Sequence, residues 1–338
     1  MRVVEILIFM KLFSKLWASI AMLLMLSLAT SCEKSEQPTP AEPEYVTVSL
    51  GLDVSLDYEY EPLTRAEENN DLYGIQVYST PVPATENAVW TKYAYGLFDT
   101  TDNLTIKLVR GYEYKFVAMM VKDGKDKVSN GSGEYVGPFW HQTSPGVSTQ
   151  TPLSTSFIYG QLGLICFDRG RFAEYVNGEL YYGELEGYIP GDNDSKATIE
   201  LERTSFGVKY IAKGDYAENG TLEILMGDAP QLNLNLAEGN EVSEIYSFRD
   251  ARAAWLDENY TETVAVTLRI AYSDGTTAPL GTHDITFKRN TTTVVNVDLT
   301  VSGDSGVGFV ITDDGEMPEG DEITIKDGEI VDTEIETN

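Results

Sequence analysis

From Tyr45 onward, apolar and polar residues take alternate places. Val46, Val48, Leu50 and Leu52 are separated by Thr, Ser, Gly and Asp, and Val54 and Leu56 keep the register. Period two over such a run predicts a long strand with one buried face. The same pattern returns in YGIQVYS, NLTIKLV, YEYKFVAMMV, TIELE, GVKYIA, TLEILM, VAVTLRIAY, DITFK and TVVNVDLTV. Asp-Gly pairs at Lys122-Asp123-Gly124-Lys125 and Ser273-Asp274-Gly275-Thr276 predict tight hairpins between strands. Helical spacing is scarce. SFRDARAAWLDENY is the best candidate, with Ser247 as N-cap, Asp250 three residues on, and Phe248, Ala251 and Trp255 on one face. RGRFAEYV around Phe172 is a shorter one. No period of roughly 20 to 50 residues is present, which disfavours propellers and solenoids. Many short strands with few helices predict an all-β fold of antiparallel β-sandwich type.

Punctuation divides the chain. PGDNDSKAT, Pro190 to Thr198, clusters turn residues between apolar segments and marks a boundary. The expected organisation is an N-terminal sandwich over 45–193, a C-terminal sandwich over 194–303 and an acidic tail over 304–338. The tail alternates weakly at Ile323 and Ile325 and again near Ile330 and Ile335. It reads equally as a strand or hairpin and as a solvated extension.

The start of the chain is of another kind. MKLFSKLWASIAMLLMLSLATSC opens at Met10 with Lys11 and Lys15, continues apolar from Leu16 to Leu28, and ends Ala29-Thr30-Ser31-Cys32. A basic region, a short apolar core and small residues describe an export signal, here residues 1–31, too short for a comfortable span. Glu5 sits poorly in such a basic region, so both Met1 and Met10 stand as candidate starts. Cys32 in this setting reads as a lipidated residue, with Ala29 where lipoboxes usually carry Leu. A plain secretory signal is the alternative. Residues 32–44, containing EKSEQPTPAEPE, are rich in Pro and Glu and read as an extended tether.

Composition narrows the partners. The 338 residues are 42 % hydrophobic with a formal charge of −30, so cores can form and phosphate backbones are repelled; nucleic acid is excluded as a partner. Membrane association then falls to the anchor rather than to a charged face. The second of the two cysteines, Cys166, lies in the strand-like run FIYGQLGLICF and reads as a small core residue. With Cys32 acylated, no disulfide forms within the chain.

Catalytic signals are weak. The two histidines, His141 and His283, stand far apart and form no metal motif. No nucleophile elbow occurs, and Asn130-Gly131-Ser132-Gly133 is a turn. GDSGVGFVI carries glycines at 303, 306 and 308, but a strand follows them where a phosphate loop needs a helix. Asp313-Asp314-Gly315-Glu316 and Glu319-Gly320-Asp321-Glu322 miss EF-hand spacing and read as solvated loops. No cofactor, metal or enzymatic activity is expected. Among 20 tyrosines, Tyr93, Tyr95, Tyr181 and Tyr182, with Trp90, offer either sugar-stacking rings or ordinary strand packing.

Arg65 is the one basic residue between Lys34 and Lys92. It lies in EPLTRAEENNDLYGIQVYST, after the first predicted strand. Composition allows a surface charge balanced by Glu61, Glu67 and Glu68, or an accessible cleavage point.

The lipobox-like ATSC, the tether, the first strand YVTVSLGLDV, PLTRAEENNDLYGIQVYS, IELERTSFGVKY and FKRNTTTVVNVDLTV together resemble the fimbrillin-like surface lipoproteins of Bacteroidetes. The resemblance implies two transthyretin-like sandwiches and a lipid anchor at Cys32 in the outer membrane, with surface exposure and a place in a fimbrium. In pilus-forming members an Arg-specific protease removes the first strand, which maps here to the bond between Arg65 and Ala66. Partners implied are other fimbrial subunits or host and bacterial surface ligands. Some members are tip or anchor subunits, and the acidic tail matches no donor strand. The expected function is a fimbrial subunit or adhesion lipoprotein assembling by strand exchange. The alternative is a glycan-binding surface lipoprotein of a nutrient-uptake system, with a surface glycosidase third.

Overall fold

The computed structural model describes residues 43–54, 70–83, 85, 87–172, 175–191, 196–213 and 220–299, with the backbone of three strands between 308 and 332. Tyr45–Asn338 form one compact unit and Met1–Glu44 fall in another. Among the described residues no helix is long and apolar enough to cross a membrane.

The first group of strands begins β1 Tyr45–Val54, β2 Leu72–Pro81, β3 Thr91–Phe98, β4 Thr105–Val109 and β5 Tyr112–Val121. Short pieces follow: β6 Glu134–Tyr135, β7 His141–Ser144, β8 Val147–Thr149, β9 Thr151–Pro152 and β10 Ile158–Tyr159. β11 Leu180–Tyr188 and β12 Lys196–Arg203 complete it. One sheet runs in the order β10-β3-β2-β5-β11-β12-β1-β4, with β6–β9 and β7–β8 as separate two-stranded ladders. β12 pairs β1 along Lys196–Leu201 but meets β11 only through Glu202 and Arg203. The sheet therefore turns a corner at β12 and closes on itself as a sandwich. Val48, Leu50, Ile106, Leu108 and Ile199 from one side meet Ile75, Val77, Phe116 and Tyr114 from the other.

Alternation along β2, β3 and β5 serves two cores. Phe116, Ala118 and Met120 enter the sandwich, while Val117, Met119 and Val121 face the opposite side. That side is covered by the excursion between β5 and β11, through Phe139, Leu164, Phe167 and Val176, and by Trp255. These strands are apolar on both faces because both faces are buried.

The second group is β13 Ser205–Lys213, β14 Gly220–Met226, β15 Leu232–Asn235, β16 Glu241–Ser247, β17 Thr261–Tyr272, β18 Thr277–Lys288 and β19 Thr292–Asp298. β16-β13-β19 face β15-β14-β17-β18 across a core in which Phe206 packs on Phe248 and Phe287. In the tail, β20 Gly308–Ile311 pairs antiparallel with β19, and β21 Ile323–Lys326 and β22 Glu329–Asp332 extend the same sheet. Among the described pairings two are parallel, β1 with β12 and β13 with β19. The architecture is all-β with two sandwiches. Strand β12 lies beyond the expected 193/194 boundary yet belongs to the first sheet, and the chain passes to the second group at Thr204.

Local chemistry departs from expectation in three places and follows it in a fourth. Asp123-Gly124 opens the one-turn helix Gly124–Lys127 instead of a hairpin, with Asp123 at φ 53°. Asp274-Gly275 does turn the β17–β18 hairpin; Gly275 sits at φ +85°, and the Asp274 carboxylate accepts from Thr276 N at 2.8 Å. The helix Ala251–Leu256 is capped by Asp250, whose side chain accepts from Ala253 N. Ser247 is not free to cap it, because it ends β16 and its Oγ accepts from Val176 N at 2.9 Å. The described residues 170–172 of RGRFAEYV are not helical; instead Ile165–Arg169 just before them is, and it carries Cys166.

Candidate functional site

The seam around β1 is where the sequence readings converge. β1 runs antiparallel to β4, Tyr45 opposite Val109 through Ser49 opposite Thr105, and parallel to β12, Ser49 opposite Lys196 through Val54 opposite Leu201. It is therefore interior, one strand in from the edge. Leu50 N adds a bond to Leu104 O at 2.8 Å. Val48 and Leu50 are buried, Val46 and Leu52 pack partly, and Thr47, Ser49 and Asp53 are exposed. The period of the sequence is thus the period of burial. Tyr45, where the strand begins, is 58 % exposed.

The far end of β12 is pinned by charge. The Arg203 guanidinium lies 2.5 Å from Glu179 Oε1 and donates to Tyr181 Oη at 3.0 Å and Asn290 Oδ1 at 3.2 Å. Tyr181 donates to the same Glu179 oxygen at 2.5 Å, and Lys122 Nζ stands 3.4 Å from the other. Burial acts to raise the Glu179 pKa, but the Tyr181 hydrogen bond and the Arg203 and Lys122 charges outweigh it and hold it below the ordinary value. Arg289 donates to Arg203 O and to Glu202, both at 2.9 Å, tying the first group of strands to the second.

Cys32, Arg65 and Ala66 lie outside the described residues. Their neighbours are placed: β1 ends at Val54 and β2 starts at Leu72, so Arg65 belongs to the segment joining them. Cys166 is buried, and burial pushes its thiol well above the ordinary range. His141 stacks on Tyr95 with ring centres 6.0 Å apart and contacts Thr151 Oγ1 at 3.0 Å; burial lowers its pKa. His283 is on β18, opposite Val266. Among the described residues no group of three or more His, Cys, Asp or Glu is placed to hold a metal. The acidic stretches at 313–316 and 319–322 fall outside the described residues.

Of the aromatics named for stacking on sugars, Tyr95, Tyr181 and Tyr182 are buried, and Tyr182 lies flat on Trp255 at 4.3 Å and 6°. Tyr93 and Trp90 are half-buried. A 260 Å³ hollow beside Tyr95 and His141 is lined by Thr151, Ser154, Ser156 and Ile158. The hydroxyls of Tyr93, Tyr114 and Tyr159, which meet the backbone of β4, escaped sequence reading. Period two reports which face of a strand is buried, not what satisfies its edge.

A first strand interior to its sheet, with one face buried, makes this a two-sandwich β-protein whose first described strand completes a sheet. No protein-family model matches the chain, and no curated protein matches it either. Three solved structures show what the layout is similar to. The fimbrial anchor protein Mfa2 from Porphyromonas gingivalis shares 9 % identity at a TM-score of 0.35, covering 82 % of this chain and 99 % of its own. The tip fimbrial protein Mfa3 of the same organism, with a C-terminal truncation, shares 10 % at 0.28, covering 73 % and 95 %. A candidate adhesin from Bacteroides thetaiotaomicron shares 17 % at 0.33, covering 78 % and 93 %. At these values the likeness carries no functional argument.

Proposed function

We propose that this chain is a lipid-anchored, fimbrillin-like adhesion subunit of the bacterial outer surface. It assembles by strand exchange once the bond between Arg65 and Ala66 is cut. The observation that carries the reading is the place of β1, interior to its sheet and joined to β2 only through the segment that contains Arg65. Cutting there frees the strand from the rest of the fold. Its departure leaves a slot between β4 and β12, with the inward backbone of both unpaired and the seats of Val48 and Leu50 empty. An extended segment of another subunit with apolar residues at alternate places satisfies both needs by β-strand addition. Cys32 supplies the anchor to the outer membrane, and other fimbrial subunits or surface ligands are the partners.

Limited digestion of the purified chain with an Arg-specific protease tests this. The expected result is a new N-terminus at Ala66 and concentration-dependent oligomers, with Arg65→Ala uncut and monomeric. A cut product that stays monomeric at high concentration overturns strand exchange. Cys32→Ala is expected to move the protein out of the membrane fraction of cells.

A further inference from the structure

β4 is the last strand of its sheet, yet the outward side of its backbone is not bare. Leu50 N bonds Leu104 O, and the antiparallel ladder continues with Val48 opposite Ile106 and Val46 opposite Leu108. Bonding groups on an antiparallel strand alternate sides, so Lys107 and Val109 turn theirs away from β1. All four of those groups are met by tyrosine hydroxyls. Lys107 N donates to Tyr159 Oη at 2.9 Å, and Tyr93 Oη donates to Lys107 O at 2.7 Å. Val109 N donates to Tyr114 Oη at 2.7 Å, and that hydroxyl returns a bond to Val109 O at 3.0 Å.

The three tyrosines come from β10, β3 and β5, strands of the opposite wall of the sandwich. Their rings support one another edge to face, with Tyr93 5.1 Å from Tyr114 and 5.5 Å from Tyr159. None of these contacts involves β1. Ile106 and Leu108 bury one face of β4 in the core, which sets which residues point inward, and the directional tyrosine bonds add a second hold on its outer backbone.

We infer that Tyr93, Tyr114 and Tyr159 are positioning residues that hold β4 in register without β1, so that the β4 wall of the slot between β4 and β12 stays formed when the first strand leaves. The inference rests on the reading of β1 as a removable strand. Its consequence is preorganisation: an incoming strand meets a formed β4 wall and bears no cost of ordering β4.

The test uses the full chain and the Tyr93→Phe/Tyr159→Phe variant, which keeps both rings and removes two hydroxyls. In the intact protein, hydrogen exchange at the Lys107 amide should quicken about tenfold in the variant, while β5 amides stay as in wild type. After cutting with the Arg-specific protease, a fluorescent peptide of residues 45–54 should enter the wild-type slot and bind the variant about tenfold more weakly. Unchanged Lys107 exchange overturns the clamp, and so does peptide affinity within twofold of wild type. A cut wild-type chain that never takes up the peptide instead overturns the removable strand, and with it the role of the slot. Lys107 exchange in the intact chain separates that failure from failure of the clamp. Faster exchange throughout the variant overturns the inference as well, because the two hydroxyls would then support the whole sandwich rather than β4.

Discussion

β1 and β13 hold equivalent places in the two halves of the molecule. Each opens its group of strands, lies between an antiparallel neighbour and the parallel strand β12 or β19, and contributes alternate side chains to a core. They differ in how they are held. β13 is buried on both faces over Ser205–Val208 and follows β12 through a single residue, Thr204, whose N–H bonds Leu180 O at 2.8 Å. β1 buries one face only and reaches β2 through residues 55–71. Equivalent topology is thus held in two ways, by burial on both faces in one half and on a single face in the other.

Breaking the hold on β13 should have the largest effect. Phe206→Ala removes a fully buried ring from the second core, and we expect a loss of about 3–5 kcal/mol in denaturant unfolding. Arg203→Ala leaves the Glu179 carboxylate buried without its closest charge, and about 3 kcal/mol is expected from the same measurement. The acid limb should change too. The depressed Glu179 pKa contributes stability above the ordinary glutamate range that is lost as pH falls through its lowered value, and Arg203→Ala should flatten that fall.

On the β1 side, Leu50→Ala is expected to cost about 2–3 kcal/mol, at the low end for leucine, because its strand opens to solvent on the other face. Hydrogen exchange sharpens the contrast without mutation. Amides of β1 should exchange through local opening at least about tenfold faster than those of β13, and equal rates would remove the distinction.

Alkaline titration probes the tyrosines at the seam. Burial pushes the Tyr114 phenol up to about 12 and raises Tyr93 as well. A raised phenol gives stability that is complete below its unfolded value of 10.0 and is lost as pH rises through the folded one. Melting temperature should therefore decline from about pH 10 upward, and less steeply in Tyr114→Phe. The smallest effect is a negative one: native Cys166 should resist a maleimide that labels it readily in denaturant.

What was legible in the sequence follows from what repeats locally. The alternation Val46, Val48, Leu50, Leu52 carries the identity and facing of β1, because side-chain direction is set residue by residue along a strand. Its neighbours were not legible: nothing in YVTVSLGLDV says that β12, some 140 residues later, lies parallel beside it. The same limit explains the boundary. PGDNDSKAT has the chemistry of a linker, yet it only joins β11 to β12 within one sheet, since long-range pairing outweighs turn composition. Helix caps failed where a strand claimed the residue first, as at Ser247. The hydroxyl contacts to β4 depend on three tyrosines from three strands, a coincidence that no single window contains.

The two parallel pairs have a mechanical consequence. In a parallel pair, the start of one strand and the end of the other lie at opposite ends of the ladder. A load drawn between Ser205 and Asp298 therefore slides β13 along β19, and the bonds from Gly207–Thr292 to Lys213–Asp298 are stressed together. A load across an antiparallel hairpin such as β17–β18, applied at its open end, parts the bonds singly. Forced unfolding between 205 and 298 should accordingly need more tension than between 261 and 288. A pull between Ser205 and Asp298 is thus borne in shear by the β13–β19 ladder.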